Sequence, residues 1–350
     1  MPDSGSASRL LVVDLAATSR NWSLPGEGRE RIAAATPRGW RVHFVSAPTV
    51  SDGDGGRPPS DEAVRIVADA EAYFGFGLAK PVFEAGRKLR WVHSAAAGVG
   101  AALFPEMVAS DVMLTNSAGI YGEPIAEYVL GGVLHFLRGF DFAVAQQHDA
   151  RWDKAPFVSD DSPLREVGDC AVLVIGAGGL GSAIARALSA LGARCVGVRR
   201  RPERGVPRGF ERVVGPDAID AELGGAEVVI LATPSTPETR ELLDRARIAR
   251  LSREAIVVNV GRGSLLDEEA LADALESGSI RGAVLDVFRE EPLAPSSRLW
   301  KIRRALLTPH VSGVSPRRYW GRQLDLFIDN WARYSEGRPL RNLVDKRAGY

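Results

Sequence analysis

Three glycines, Gly176, Gly178 and Gly181, follow one another with the spacing G-x-G-x-x-G. They stand where an apolar run of strand length, Ala171–Ile175, gives way to a segment with helical periodicity. In such a turn the first glycine permits a tight bend, the second lets a pyrophosphate approach the backbone, and the third lets the helix pack on the strand. Free N–H groups at the start of the helix would then bind the phosphates. The motif in this setting predicts a dinucleotide-binding site.

The residues after the next strand indicate which dinucleotide binds. An enzyme that uses NAD places an acidic residue about 20 residues on, where it binds the ribose hydroxyls. In this chain, 18 residues after Gly181, the sequence reads Arg199-Arg200-Arg201. Arginine forms charge-assisted, often bidentate, hydrogen bonds with a phosphate, whereas an acid would repel one. Arg199 and Arg200 therefore predict a preference for NADP(H), with NAD(H) as the alternative cofactor. The other interpretation of the run is an exposed basic loop.

Three further polar residues follow other apolar runs of strand length. Arg262 lies between two glycines, Glu291 precedes a proline and His310 follows one. The carboxyl ends of parallel strands form the ligand-binding edge of such a sheet, so the three side chains would meet there. A guanidinium suits a substrate carboxylate, and an imidazole titrates near neutral pH. Singly, the three could be an ion-pair partner, a solvated acid of a turn and a satisfied polar residue. Together they indicate a site for a 2-oxo acid.

The elements that must position these residues are visible in the hydrophobic pattern. Short apolar runs alternate with longer amphipathic segments, which is typical of an α/β fold with parallel sheets. The predicted strands are Leu10–Val13, Arg41–Val45, Ala72–Phe74, Arg90–His93, Val112–Asn116, Ala171–Ile175, Ala193–Val198, Glu227–Ala232, Ile256–Val260, Ala283–Val287 and Ala305–Leu307. Two long helices are predicted, over about Glu123–His148 and about Pro316–Gly337.

Composition and charge exclude several classes of protein. The 350 residues suffice for two domains. Basic and acidic residues number 44 each, so the basic excess of a nucleic-acid binder is missing and we expect no nucleic-acid partner. Cys170 and Cys195 alone make neither a disulfide framework nor a zinc site, so we expect buried thiols and no metal. No apolar run reaches the roughly 18 residues of a membrane span, and Met1–Ser8 lacks the regions of a signal peptide. We expect no membrane partner and a cytoplasmic location.

Taken jointly, the motifs resemble those of the D-isomer-specific 2-hydroxyacid dehydrogenase family, and are closest in type to glyoxylate/hydroxypyruvate reductases. They extend over nearly the whole chain and comprise Gly176–Gly181, Thr233–Thr239, Asn259–Gly263, Asp286–Phe288 with Glu291-Pro292, Thr308–His310, Asn116 with Ala126-Glu127, and Asn342–Asp345. The resemblance implies two Rossmann-like, doubly wound parallel-sheet domains separated by an active-site cleft. Residues 1–116 and 312–350 would form a discontinuous substrate-binding domain, and residues 117–311 the dinucleotide-binding domain. It also implies a homodimer.

The resemblance further implies catalytic roles for the three polar residues. His310 would be the general acid that protonates the carbonyl oxygen as hydride arrives from the nicotinamide. Glu291 would pair with His310 and orient it. Arg262 would bind the carboxylate or the carbonyl oxygen, fixing the substrate and offsetting the developing negative charge.

Other residues are implied to bind the substrate or the cofactor. The N–H groups of Ala97 and Gly98 would hold the substrate carboxylate, and Phe76 would line the substrate pocket. Phe76 could equally be an ordinary core residue. Asp286 matches the family residue that lies near the nicotinamide carboxamide. The cofactor contacts would come from Gly176, Gly178, Leu180, Gly181, Arg199, Arg200, Thr233, Val260, Gly261, Asp286 and Gly313.

The sequence therefore predicts an NADP(H)-preferring reductase that converts a small 2-oxo acid, such as glyoxylate or hydroxypyruvate, to the D-2-hydroxy acid. Glu291 disfavours formate oxidation, because the resembling formate enzymes carry Gln at this place. Phosphite oxidation is disfavoured because Ser94–Gly100 contains no Lys. A dinucleotide-sensing corepressor resembles the same fold and keeps the same Arg, Glu and His. A binding protein with little turnover is therefore the alternative.

Overall fold

The computed structural model describes residues 8–49 and 58–349. The chain divides into two units. Unit 1 comprises the residues up to Ile120 and those from Ser315 onward, and unit 2 comprises Tyr121–Val314. Apart from Ser8, the polar N-terminal stretch 1–8 lies outside the described residues. Each unit is an α/β fold around one parallel sheet, which confirms the predicted fold class.

Unit 1 is built on a five-stranded parallel sheet with the order β2-β1-β3-β4-β5. Its strands are β1 (Arg9–Asp14), β2 (Trp40–Phe44), β3 (Ala72–Gly75), β4 (Trp91–Ser94) and β5 (Met113–Thr115). Its helices are α1 (Gly26–Ala34), α2 (Asp61–Val67), α3 (Lys80–Ala85), α4 (Pro105–Ala109) and the C-terminal α12 (Tyr319–Ser335). Because α12 belongs to this unit, unit 1 contains both the N-terminal and the C-terminal part of the chain.

Two apolar cores cover the faces of the unit 1 sheet. On one face, helices α1 and α12 pack on the strands, and Phe327 of α12 stacks on Phe74 of β3 with ring centroids 3.9 Å apart. On the other face the buried residues come from α2, α3 and α4. Residues of β1 alternate between the two cores, as the two-residue period of a strand requires.

Unit 2 is built on a seven-stranded parallel sheet with the order β12-β11-β10-β9-β6-β7-β8. Its strands are β6 (Ala171–Ile175), β7 (Arg194–Val198), β8 (Arg212–Val214), β9 (Val228–Leu231), β10 (Ile256–Asn259), β11 (Gly282–Leu285) and β12 (Ala305–Leu307). Its helices are α5 (Gly122–Leu137), α6 (Phe140–His148), α7 (Ala155–Val158), α8 (Gly179–Ser189), α9 (Ile219–Leu223), α10 (Arg245–Ile248) and α11 (Glu268–Ser277). The strand order reverses between β6 and β9, where a Rossmann fold binds its ligand.

The predicted strands all form within one or two residues of their expected bounds, and within residues 8–49 and 58–349 the sequence missed one strand. That strand, β8, lies at the edge of the sheet and is partly exposed. It reads Arg212-Val213-Val214 and therefore lacks an apolar run of strand length. Edge strands need no continuous apolar sequence, because only part of their surface is covered.

The prediction of one long helix over Glu123–His148 is wrong. The chain forms α5 and α6 with a bend of 70° between them. Gly139 breaks the helix in the left-handed region, with φ 67°. The bend brings Asp141 onto the buried Arg281, with 2.7 Å between Nη1 and Oδ2, and Arg281 also donates to the carbonyl of Phe136. A buried ion pair therefore fixes the angle, and helical periodicity alone does not reveal it.

Among the described residues, no single helix is both long and apolar enough to cross a membrane. Helices α5 and α6 meet that criterion of length and composition only when they are taken together as a bent pair.

The two cysteines are buried free thiols, as expected. Burial raises the pKa of Cys170 and that of Cys195 to about 11. Within the described residues no group of three or more His, Cys, Asp or Glu side chains is arranged to hold a metal ion.

Candidate active site

The glycine-rich loop joins β6 to α8 at the point where the strand order reverses. Gly176 has φ +118°, and a Cβ there would lie 2.4 Å from the carbonyl oxygen of Ala232. A Cβ on Gly181 would lie 2.0 Å from the carbonyl oxygen of Gly176. Both positions therefore require glycine. The loop is fixed from the next strand, because the N–H groups of Gly176 and Ala177 donate to the carbonyl of Val198.

The start of α8 fits a dinucleotide pyrophosphate. The first N–H groups of a helix lack an intrahelical partner, and no side chain caps α8 at Gly178. A Cβ on Gly178 or Gly179 would have no atom within 4 Å, so there is open space above this turn. Leu180, in the first turn of α8, is half-buried. Uncapped donors beside open space suit an anion.

In the arginine run after β7, the side chain of Arg199 binds backbone carbonyls. Arg199 donates from Nη2 to the carbonyl oxygens of Gly205 and Pro202, and so holds the turn that follows β7. Arg200 is exposed, and its charge interacts with Glu238 in the loop after β9. Two basic residues therefore stand at the end of β7, one holding the backbone and the other at the surface.

The loops after β9 and β10 lie against each other. A Cβ on Gly261 would lie 2.9 Å from the carbonyl oxygen of Thr233, so these two predicted cofactor residues are adjacent. Val260 is buried and donates its N–H to the carbonyl of Leu231. Asn259, which is fully buried, accepts from the N–H of Gly261 and donates to the carbonyl of Arg262.

Arg262 is presented at this sheet edge without a carboxylate partner among the described residues. Its Nη1 donates to the carbonyl of Gly261, 2.7 Å away, and its side chain is partly exposed. The next residue, Gly263, packs on the backbone of Phe288, so closely that a Cβ would lie 1.8 Å from the Phe288 carbonyl carbon. The loop that carries Arg262 therefore contacts the loop that carries Glu291.

Glu291 and His310 form the predicted pair. His310 Nδ1 lies 2.8 Å from Glu291 Oε2, and about a third of each side chain is exposed, 34% for His310 and 35% for Glu291. The other carboxylate oxygen of Glu291 accepts from the N–H of Phe288. His310 Nε2 has no hydrogen-bond partner in the described part of the chain. The pair therefore holds Nδ1 and leaves Nε2 for a ligand.

Asp286 takes a position that the sequence did not indicate. It is fully buried, and its carboxylate accepts from the Thr308 hydroxyl at 2.6 Å and from the N–H groups of Val311 and Ser312 at 2.8 and 2.9 Å. Its predicted contact with a carboxamide stays a prediction, because the hydrogen bonds of its carboxylate are to Thr308, Val311 and Ser312. Gly313, which follows this segment, lies against the ring of Tyr121.

In unit 1 the loop after β4 has its carbonyl oxygens bound from neighbouring elements. The Ser117 hydroxyl donates to Ser94, Tyr319 to Ala95, the Ser117 N–H to Ala96 and the Asn116 amide to Ala97. The N–H groups of residues 97 and 98, by contrast, have no acceptor in the described residues. The bound carbonyl groups fix the backbone of this loop, and its unpaired N–H groups are suited to bind a carboxylate.

Phe76 lies in unit 1 beyond β3, in a half-exposed aromatic cluster. Its ring lies edge-on to Trp22, with centroids 6.4 Å apart, and to Trp320, with centroids 6.2 Å apart. Tyr319 contacts both tryptophans. Phe76 is partly exposed and packs against the buried core of unit 1, so its place in a substrate pocket stays a prediction.

Sequence reasoning missed three residues that hold this site together. Asn259 fixes the turn of Arg262, and Thr308 links Asp286 to the hydroxyl of Tyr128 on α5. Asn259 and Thr308 belong to the motifs Asn259–Gly263 and Thr308–His310, which predicted no separate role for either residue. A polar residue at the last position of a buried apolar run was the available signal. Nothing in the sequence indicates Tyr128, because its partner is 180 residues away.

Comparison with known proteins finds similar sequences for most of the chain. Residues 130–312 match the family model "D-isomer specific 2-hydroxyacid dehydrogenase, NAD binding domain". The chain is 34% identical over 275 residues to glyoxylate/hydroxypyruvate reductase A of Escherichia fergusonii, covering 76% of this chain and 83% of the relative.

Solved structures of similar sequence extend the likeness to the whole chain. A D-isomer specific 2-hydroxyacid dehydrogenase of Xanthobacter autotrophicus, in complex with NADPH and MES, is 30% identical with a TM-score of 0.78, covering 99% of this chain and all of that one. The NADPH-dependent glyoxylate/hydroxypyruvate reductase of Sinorhizobium meliloti, in complex with NADP and sulfate, is 28% identical with a TM-score of 0.76, covering 98% and 100%.

Proposed function

Because the chain belongs to the D-isomer specific 2-hydroxyacid dehydrogenase family, we propose that it reduces a small 2-oxo acid to the D-2-hydroxy acid with NADPH. Glyoxylate and hydroxypyruvate are the proposed substrates. The observation that carries the proposal is the Glu291–His310 pair. The loop of Glu291 contacts the loop of Arg262, a guanidinium without a carboxylate partner among the described residues.

His310 is the proposed general acid. The nicotinamide, when bound, supplies a hydride to the carbonyl carbon, and negative charge then develops on the carbonyl oxygen. His310 gives that oxygen a proton from Nε2, and Nδ1–H remains bound to Glu291 Oε2. Glu291 thus selects the ring orientation in which Nε2 is the donor. A positioned acid of this kind contributes typically about 10²–10⁴-fold to the rate.

Arg262 is the proposed binder of the substrate anion in unit 2. Because this guanidinium has no carboxylate partner in the described residues, its N–H donors are available to a ligand. Their planar arrangement matches a carboxylate. Asn259 fixes the backbone on which this side chain is carried. A fixed Arg262 would hold the substrate so that its carbonyl group is oriented for the reaction.

The loop of unit 1 is the second proposed anion binder. The N–H groups of Ala97 and Gly98 would donate to the carboxylate of a 2-oxo acid. Their orientation follows from the carbonyl contacts made by Asn116, Ser117 and Tyr319. Phe76 and its tryptophan neighbours favour a compact substrate, because their rings occupy the space beside β3.

NADP(H) is the proposed cofactor, and NAD(H) the weaker alternative. The uncapped first turn of α8 fits the pyrophosphate, and Gly176, Gly178, Leu180 and Gly181 form its binding loop. Arg200 would bind the 2′-phosphate, and Arg199 would hold the turn that carries Arg200. The complexes of the two similar enzymes with NADPH and NADP support this choice.

A homodimer is proposed from the exposed apolar side chains of the segment 140–158. Phe140, Val144, Trp152 and Val158 are exposed in unit 2, from 52% for Phe140 to 90% for Trp152. Apolar side chains concentrated in one segment commonly mark a protein interface. Sedimentation velocity should give a dimer for the parent and a monomer for Val144→Asp, and a monomeric parent would contradict the proposal.

An NADPH-oxidation screen tests the proposed function. The 2-oxo acids are glyoxylate, hydroxypyruvate, pyruvate, phenylpyruvate and a longer aliphatic homologue, each with NADPH and with NADH. The proposal expects turnover that is fastest with glyoxylate or hydroxypyruvate and NADPH. Tight nucleotide binding without turnover on any of the five would instead indicate a dinucleotide sensor.

A further inference from the structure

A directed chain of hydrogen bonds links helix α5 to the segment that carries His310. The Tyr128 hydroxyl lies 2.7 Å from Thr308 Oγ1, which in turn lies 2.6 Å from Asp286 Oδ1. The carboxylate of Asp286 acts as an acceptor in each of its contacts, so Thr308 donates its hydroxyl proton to it. The oxygen of Thr308 then accepts from Tyr128. The chain therefore runs in one direction only.

The Asp286 end of this chain holds the backbone around His310. Its carboxylate accepts the N–H groups of Val311 and Ser312, and its carbonyl accepts the N–H of His310 at 2.8 Å. His310 itself has φ +55°, in the left-handed region that residues other than glycine rarely adopt. Such a conformation persists only where the surroundings fix it. Asp286 provides that fixation from within the core.

The Tyr128 end is suited to act as a permanent donor. The side chain is half-buried, and burial raises the pKa of Tyr128 to about 12, with Asp286 adding to the effect. The hydroxyl therefore keeps its proton at any pH at which the enzyme would work. Linked hydrogen bonds in a partly buried setting strengthen one another.

We propose that Tyr128 and Thr308 are positioning residues for His310, acting through Asp286. They hold residues 308–312 so that the imidazole stays on Glu291 and presents Nε2 outward. The inference rests on the proposed function, because it assigns a purpose to the setting of the general acid. Neither residue would contact the reacting atoms. The effect should therefore lie in kcat rather than in substrate or nucleotide binding.

Two substitutions at Thr308 and one at Tyr128 test the proposal. Thr308→Val keeps the shape but removes the hydroxyl, Thr308→Ser keeps the hydroxyl, and Tyr128→Phe removes the donor at the far end. Tyr334→Phe is the matched control, since that half-buried hydroxyl donates to Glu71 in unit 1 and burial likewise raises the pKa of Tyr334 to about 12.

We expect kcat for the reduction reaction to fall roughly tenfold in Thr308→Val and a few-fold in Tyr128→Phe, because small displacements of a catalytic group are costly. KM and the NADPH dissociation constant should stay within about twofold of the parent. Thr308→Ser and Tyr334→Phe should turn over like the parent. Equal losses of kcat in Thr308→Ser and Thr308→Val would overturn the proposal, as would an unchanged kcat in both Thr308→Val and Tyr128→Phe.

A spectroscopic readout needs no turnover. In protein with ¹⁵N-labelled histidine and no substrate, two-bond ¹H–¹⁵N correlations report which ring nitrogen carries the proton, and His310→Ala identifies the His310 signals. The parent and Thr308→Ser should show neutral His310 as the single tautomer with Nδ1–H. Thr308→Val and Tyr128→Phe should show both tautomers or broadened signals.

Identical His310 signals in the parent, Thr308→Val and Tyr128→Phe would contradict the positioning role even if the parent is active. A parent with a single tautomer but no turnover on any 2-oxo acid would refute the proposed function and leave the positioning role standing. If Thr308→Val fails to fold, Tyr128→Phe, which buries no new group, decides the question.

Discussion

His310 and His93 both stand at strand ends, and the structure gives them opposite properties. His310 follows β12, is about one-third exposed and pairs through Nδ1 with the carboxylate of Glu291. His93 lies in β4 and is fully buried, and its hydrogen-bond partners among the described residues are uncharged, with Thr115 Oγ1 at 2.8 Å from its Nδ1. Burial lowers the pKa of His93 to about 3.

The difference separates His310, the proposed general acid, from a histidine that is enclosed in the core. His93 has both ring nitrogens occupied, since Nε2 lies 3.4 Å from the Ser117 hydroxyl and from the Gln323 amide. It remains neutral and exchanges no proton with a ligand. His310 keeps one nitrogen fixed by a carboxylate and the other accessible, which is what general acid catalysis requires. His310 and His93 share the residue type and a position near the end of a strand. Their neighbours and their exposure therefore determine how the two side chains differ.

The largest expected effect comes from removing His310, the proposed general acid. His310→Ala should lower kcat for the reduction reaction by about 10²–10⁴-fold, because the positioned acid is lost. NADPH binding, measured by fluorescence titration, should stay near the parent value.

His43→Ala is the control for this variant. His43 also pairs with a carboxylate, at 3.1 Å from Glu62 Oε1, and its side chain is similarly exposed at 38%. It lies in β2 and should leave kcat unchanged. Near-normal turnover in His310→Ala would show that His310 is not the general acid.

The next largest effect is expected at Arg262, the proposed binder of the substrate anion. Arg262→Met should lower kcat/KM for the 2-oxo acid roughly a hundredfold, since charge-assisted hydrogen bonds contribute about 1.5–3 kcal/mol each. Arg262→Lys should recover only part of this, because an ammonium cannot match a carboxylate with two parallel donors. Steady-state kinetics measures both. Equal kcat/KM in Arg262→Met and the parent would show that this guanidinium binds no substrate.

A smaller effect is expected at the arginine run. Arg200→Ser should weaken NADPH use by about tenfold and leave NADH use unchanged, because one charge-assisted bond to the 2′-phosphate is lost. Arg199→Ser should weaken both cofactors, since Arg199 holds the turn through the carbonyls of Pro202 and Gly205. The kcat/KM ratio of the two cofactors separates these outcomes. A loss with both cofactors in Arg200→Ser would assign that residue a structural role.

The smallest effect on activity is expected at His93, where a substitution should instead change how the stability of the fold depends on pH. An unfolded imidazole takes up a proton below about pH 6.5, whereas His93 in the folded protein stays neutral down to about pH 3. The unfolded state then binds more protons, so the free energy of unfolding falls as the pH drops through this window. The slope is at most about 1.4 kcal/mol per pH unit.

Urea unfolding of the parent and of His93→Gln between pH 4 and 7 measures this contribution. Glutamine offers polar contacts but does not titrate, so the variant should lose that part of the pH dependence. Parallel pH profiles for the two proteins would show that His93 does not remain neutral in the fold. Assays at pH 7 should find the turnover of folded His93→Gln unchanged.

Sequence alone was sufficient where a local pattern determines structure. The apolar runs predict the strands, and the spacing of Gly176, Gly178 and Gly181 predicts the β6–α8 turn, because strand burial and tight turns restrict nearby residues. The order of motifs also predicted the family. The pairing of Glu291 with His310 was predicted only through the resemblance, since 19 residues separate them.

Long-range contacts account for what the sequence did not predict. The bend at Gly139 depends on the ion pair between Asp141 and Arg281, which are 140 residues apart. His93 Nε2 lies 3.4 Å from the amide of Gln323, which is 230 residues away on α12. Such contacts leave no periodic signal, because each partner satisfies its own local pattern.

The proposed reaction is tested most simply by the product of a stoichiometric mixture. Hydroxypyruvate is mixed with one equivalent of NADPH and the parent protein, and the glycerate formed is quantified and resolved by chiral chromatography. One D-glycerate should form for each NADPH oxidised. Formation of L-glycerate, or bound NADPH that is never oxidised by hydroxypyruvate or glyoxylate, would contradict the proposed reaction.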